Sequence, residues 1–168
     1  MSKVTLKTDA ALPKLFGLTD DLKATIVTSL AALMSRTNAD VEANAGLSLD
    51  HIENMGRKLD EVRNASKTED MSFFQKMKGG TQEIDGRTFF ETIGLIDSGI
   101  DMTKESLMRV LESSTREDAD SVGRAVIFLG LAVNAGIELI AGKALPLPAT
   151  YWADFYSETM ESWNPNNK

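Results

Sequence analysis

The chain has 168 residues, 42% of them hydrophobic and 26% charged, with a net charge of −7 and a pI near 4.8. The length suits one domain with its own core. The acidic balance argues against a general DNA or RNA binder and against a ligand of anionic lipid surfaces, both of which need clustered basic residues. Cysteine is absent, which excludes thiol catalysis, thiolate zinc sites, iron–sulfur clusters and disulfides.

The N-terminal stretch "MSKVTLKTDAALPKLF" has no apolar core of signal-peptide length, so a cytoplasmic location is expected, with non-classical export or packaging into a particle left open. Residues 1–18 read as an extended arm: "KVTLKT" alternates polar and apolar residues, and Pro13 and Gly17 punctuate the stretch. Such an arm docks on its own body or on a neighbouring subunit, or hangs as a loose tail.

A helical bundle is expected over residues 19–145. Thr19 is placed as an N-cap, with Asp20 and Asp21 complementing the helix dipole. Leu22, Ile26, Leu30, Leu33 and Met34 share a face, and Asn44-Ala45-Gly46 reads as the stop. Ser48 caps a second helix striped by Leu49, Ile52, Met55, Leu59 and Val62, in which Gly56 suggests a close helix approach. "SKTE" at 66–69 has capping-box form and opens a short helix with Phe73, Phe74 and Met77, ended by Gly79-Gly80. "TQEIDGR" reads as a loop turning at Asp85-Gly86, or as a small hairpin, one β-like segment being too little to support a sheet. "TFFE" at 88–91 is a second capping box, and a break is expected near Asp97-Ser98-Gly99. Thr103 then caps a helix carrying Leu107, Val110 and Leu111.

"TRED" at 115–118 opens the most apolar helix, stopped by Gly142, Pro146 and Pro148. Residues 125–142 hold nine Val, Ile, Leu and Phe residues. On insertion scales these favour a bilayer by about 3–5 kcal/mol, and Glu138 opposes by about 2.5–3.5 kcal/mol. The sum is near zero, and Arg124 and Lys143 flank the segment symmetrically. A buried bundle helix therefore fits better than a membrane span. Asn134 and Glu138 lie four apart on one face, the two polar positions of the segment. If desolvated, Glu138 would be a pH-sensitive acid, the feature a conditionally inserting helix needs.

The last helix, 149–163, concentrates five of the chain's eleven aromatic residues. Trp152, Phe155, Tyr156, Met160 and Trp163 fall near one face; Asp154, Glu158 and Glu161 fall near another. With Tyr151, the aromatic set is the candidate partner-binding surface, since Trp and Tyr dominate interface hot spots. The competing reading is a lid that closes the bundle. "NPNNK" reads as a frayed end.

Candidate chemistry is sparse. His51 is the only histidine, and its helical neighbours Leu47, Ser48, Asn54 and Met55 include no carboxylate at ligand spacing. Asp97 with Asp101, and Glu117 with Asp118 and Asp120, are carboxylate groupings without the converging oxygens of a cation site. "DSGID" lacks the glycine and glutamate of a calcium loop, and no phosphate loop, dinucleotide fingerprint or nucleophile elbow occurs.

The sequence thus predicts an all-α single-domain bundle of about six to seven helices with an extended N-terminal arm, non-enzymatic, with no cofactor or metal. It would act by protein–protein interaction or self-assembly through its aromatic C-terminal helix. Two alternatives stand beside this: a membrane-active, pore-forming or translocator-like protein inserting residues 125–142, and an inhibitor of a nucleic-acid enzyme through an acidic face.

Overall fold

In the computed structural model, the backbone is described for residues 3–67, 81–113 and 116–162, and side-chain surroundings for 11–64, 84–112 and 120–162. The elements in chain order are β1 (Lys3–Lys7), α1 (Thr8–Leu33), α2 (Asn38–Ala65), β2 (Ser66–Lys67), β3 (Thr81–Asp85), α3 (Gly86–Ser113), α4 (Arg116–Ala141) and α5 (Tyr151–Ser162). The chain is all-α in its dominant architecture, with five helices among the described residues rather than six or seven.

Helices α1 to α4 form an antiparallel bundle. Each packs on its sequence neighbour, and α4 closes the ring on α1. Cross-links along α1 and α2 fix their opposed directions: Lys14 pairs with Glu61 at 3.1 Å, Asp21 with Lys58 at 2.6 Å, and Ser29 Oγ lies 2.5 Å from Ser48 Oγ. Between α3 and α4, Ser106 Oγ lies 2.9 Å from Ser121 Oγ, and Gly99 abuts Leu129. One continuous core joins all five helices, with Leu15, Leu22, Ile26, Ile52, Met55, Phe89, Ile96, Val126, Leu129 and Trp152 among its members.

The expected arm, residues 1–18, is matched only in part: its extended stretch docks on the body of the same chain, and from Thr8 onward the chain is helix. Residues 3–7 are extended, as their alternation suggested, but they form the middle strand of a three-stranded antiparallel sheet ordered β2-β1-β3. Lys3 to Lys7 pair with Asp85 to Thr81, and Thr5 and Leu6 pair with Lys67 and Ser66. "TQEID", read as part of a loop, is therefore a strand. Each short segment is too weak to form alone, and the pairing joins residues almost eighty positions apart, which local pattern does not reveal. The sheet ties together the start of α1, the end of α2 and the start of α3.

Helix α1 begins at Thr8, and Pro13 and Gly17 lie inside it. The stripe Ala11, Leu15, Leu18, Leu22, Ile26 is buried throughout, so the apolar period runs back past Thr19. Pro13 falls in the second turn, where it removes one backbone bond. Thr19 is consequently not a cap. Its hydroxyl is buried and, among the described groups, has no hydrogen-bond partner.

Two expected breaks are also absent. Helix α2 runs through Asn44-Ala45-Gly46, because Val41, Ala45, Ser48 and Ile52 keep one buried stripe. The actual start is capped by Thr37, whose Oγ1 accepts the Asp40 N–H at 3.2 Å. Ser48 is buried and bonds across to the Thr25 carbonyl at 2.9 Å. Helix α3 runs through Gly99, where a Cβ would lie 3.0 Å from Leu129 Cα. That glycine permits close approach of α4 instead of breaking the helix. Thr103 is likewise interior, donating to the Gly99 carbonyl at 2.8 Å. The cap of α3 is Asp85, not Thr88: its carboxylate accepts the Thr88 N–H at 3.0 Å and the Thr88 hydroxyl at 2.9 Å. These bonds, the backbone one first, hold the Asp85 carboxyl below the usual carboxylate range. Gly56 has open space beside it and marks no close contact. In the expected short helix after "SKTE", Ser66 and Lys67 are β2, and Phe73, Phe74 and Met77 lie outside the described residues.

Candidate functional site

The connector from α4 to α5 is "GKALPLPAT", residues 142–150. Gly142 takes a left-handed φ of 71° and donates its N–H to the Glu138 carbonyl at 2.9 Å, which ends α4. Helix α5 then starts on signals of its own. The Asp154 N–H reaches the Thr150 carbonyl at 2.8 Å, and the Thr150 hydroxyl donates to Asp154 Oδ2 at 2.8 Å.

Helix α5 lies on α4 and α1. Its two buried side chains, Trp152 and Tyr156, seat on glycines of α4. A Cβ at Gly130 would fall 2.6 Å from Trp152 Cδ2 and nearer still to Cγ, and one at Gly123 would lie 3.1 Å from Tyr156 Cζ. Gly123 and Gly130 are seven residues apart, two turns on one stripe of α4. Only glycine leaves room for the indole at 130. At the edge of this seat the Trp152 Nε1–H donates to Asn134 Oδ1 at 3.2 Å. One turn on, Glu138 Oε1 accepts the Leu145 N–H of the connector at 3.0 Å. Both polar side chains of the apolar segment are thus engaged by the C-terminal segment.

The flank toward α1 is aromatic. Tyr151 and Phe155 stand edge-on to Trp152, at centroid distances of 5.2 and 6.2 Å. Lys23 of α1 places its ammonium 5.7 Å from the Tyr151 ring and 5.9 Å from the Phe155 ring. Such cation–π contacts contribute about 0.5–1 kcal/mol at partly exposed sites. Burial pushes the Tyr156 phenol up to about 12, with the Asp120 carboxylate adding to the effect. The outward face of α5 is acidic, with Asp154, Glu158 and Glu161 exposed.

The structure divides the candidate surface. Trp152 and Tyr156, at 1% and 6% exposure, face the body and fix the helix to it. Tyr151, Phe155 and Met160 are half-buried beside them, and Trp163 lies outside the described residues. Glu138 is only half-buried and holds a backbone N–H, so it is not a desolvated acid on an apolar surface. Gly123, Gly130 and Lys23 belong to the site and escaped the sequence reading. The glycines were visible as small residues on an apolar helix; nothing local said what would sit on them.

Elsewhere, His51 is half-buried on α2, and Asp97 pairs with Arg63. Among the described residues no three metal-ligating side chains come together. An open groove between α3 and α4 of about 490 Å³ is lined by Ser106, Ser121, Arg109, Arg124, Glu105 and Asp120, among others, a mixed-charge set. Helix α4 is the one described helix long and apolar enough to cross a membrane, with half of its apolar window buried. The chain matches no protein-family model, no curated protein and no solved structure.

Proposed function

We propose that this chain is a non-enzymatic binding protein that works by helix-in-groove recognition, its aromatic C-terminal helix being the ligand and the α1–α4 surface the groove. The observation that carries this reading is the seat of Trp152 over Gly130. A bulky aromatic on a helix stripe that only glycine leaves open is the arrangement of an anchor in its pocket. Burying one indole removes on the order of 200 Å² from water, worth up to about 5 kcal/mol at 25 cal/mol/Å². The acidic outer face keeps the docked helix soluble and sets the charge of whatever approaches it.

The test is a labelled peptide of residues 149–163 titrated onto full-length Trp152→Ala, whose own helix has lost its anchor. Saturable binding that Gly130→Ala abolishes is expected. A peptide that binds neither chain sinks the proposal.

A second reading is favoured by the length and composition of α4 and by Leu131, 46% exposed on it. Here the protein is membrane-active and α4 inserts. Flotation with liposomes from neutral to mildly acid pH tests it. Absence of binding throughout removes this reading.

A further inference from the structure

We infer that the partner of the α1–α4 groove is a second copy of this chain, which delivers its α5 in exchange, so that Trp152 of one molecule seats over Gly130 of the other. The inference rests on the groove reading above and adds the identity of the occupant.

Three observations carry it. First, α5 is locally encoded. The Thr150–Asp154 bonds and the Tyr151 N–H to Pro148 carbonyl bond, at 3.1 Å, start the helix without help from the bundle. Yet at 12 residues it is too short to persist alone in water, so it needs a groove, its own or another's. Second, α5 packs on α1 and α4. Every contact it makes there, from the indole seat to the Asn134 bond and the Lys23 cation, can form unchanged between two molecules. That is the condition for exchange of an identical element between protomers. Third, the connector is barely built into the fold. Of residues 142–150 only Leu145 is half-buried, and the other eight are exposed. Among the described contacts its hold on the body is the Gly142 N–H to Glu138 carbonyl bond at its start, the Leu145 N–H to Glu138 side-chain bond and the packing of the Leu145 side chain. Pro146 and Pro148 bias this segment toward extended backbone. Nine extended residues span roughly 30 Å, enough to reach a neighbouring bundle.

Concentration governs which form prevails. A short connector gives the tethered helix an effective concentration on the order of millimolar. Self-docking therefore dominates in dilute solution, and exchange appears as the chain is concentrated or when a helix is released and recaptured.

Complementation isolates the exchange. Full-length Gly130→Ala has an intact helix and a filled seat; full-length Trp152→Ala has an open seat and a helix without its anchor. Neither can satisfy itself, so the effective-concentration advantage is gone. Mixing them should produce a 1:1 species of twice the 18.3 kDa chain mass by light scattering, absent from either variant alone. The double variant mixed with Trp152→Ala should produce none. A mixture that stays the sum of its parts overturns the inference.

If circular dichroism finds Gly130→Ala unfolded, the wild-type chain carries the test. Isotopically light and heavy protein, mixed and cross-linked at millimolar concentration, should give light–heavy dimers by mass spectrometry. Only light and heavy monomers would overturn it. Peptide binding to Trp152→Ala without any mixed species would leave groove recognition standing and remove the exchange.

Discussion

The indole of Trp152 occupies the space that any side chain at position 130 would need. The contact fixes where α5 crosses α4, and the Trp152 N–H to Asn134 bond fixes its rotation. Gly130→Ala should therefore displace α5 and leave the four-helix bundle standing. An overpacked contact of this kind costs about 1–3 kcal/mol. The near-UV dichroism of the tryptophans should weaken while far-UV helicity falls only slightly, and trypsin should cut faster at exposed Lys143.

Trp152 itself separates packing from hydrogen bonding. Trp152→Ala removes the whole anchor and should cost about 3–5 kcal/mol. Trp152→Phe keeps an aromatic on the glycine but loses the bond to Asn134, about 1 kcal/mol, and part of the buried ring, so it should cost more than the bond alone and less than alanine. Equal losses in chemical denaturation would show that the ring is not seated as described.

Tyr156 gives the fold an alkaline limit. Its phenol titrates near 10 when unfolded and at about 12 in place, because burial disfavours the phenolate. A raised folded value means that stability is intact below pH 10 and is lost as pH rises toward 12, since only the unfolded state releases the proton early. Thermal melts of wild type and Tyr156→Phe should diverge in that window, with the phenylalanine variant losing less. At the acid end the sign reverses for Asp85, held low by the Thr88 N–H: its capping contribution is present at neutral pH and is lost as the carboxyl protonates.

Glu138 pins the connector through the Leu145 N–H. Glu138→Ala should free the connector and cost about 1 kcal/mol, whereas Glu138→Gln keeps an acceptor oxygen and should cost less. Amide hydrogen exchange at Leu145 is the direct readout. Faster exchange in the alanine variant alone is the expected result.

The helix-interior glycines should sort by what surrounds them. Gly46 and Gly56 have nothing within 4 Å of an added Cβ, so alanine at either should stabilise the protein by roughly 0.5–1 kcal/mol. Gly99→Ala should do the reverse, because the new methyl would press on the Leu129 backbone at 3.0 Å. A uniform response of all three in denaturation would mean that helix propensity alone decides, and that the α3–α4 approach is looser than described.

Much of this architecture was written in the apolar period. The stripes of α2, α3 and α4, the stop at Gly142 and the start of α5 after the prolines all follow from spacing and backbone preference, which act within a few residues. The periodic evidence for α1 is also present in Ala11, Leu15 and Leu18, but Pro13 and Gly17 disfavour an isolated helix there. In the same way Asn44-Gly46 and Asp97-Gly99 read as breaks because glycine and asparagine disfavour isolated helices, and packing of a continuous buried stripe overrode that preference.

Sequence alone determined that this is an acidic, cysteine-free helical protein with one very apolar helix and an aromatic end. It did so because charge, composition and helix period are local quantities. Only the tertiary structure decided that residues 3–7 are the centre of a sheet, that Asn134 and Glu138 meet the C-terminal segment, and that Trp152 rests on Gly130. Those relationships join residues from roughly seven to eighty positions apart. What selects them is the filling of space between packed elements, a property that no single stretch of chain possesses.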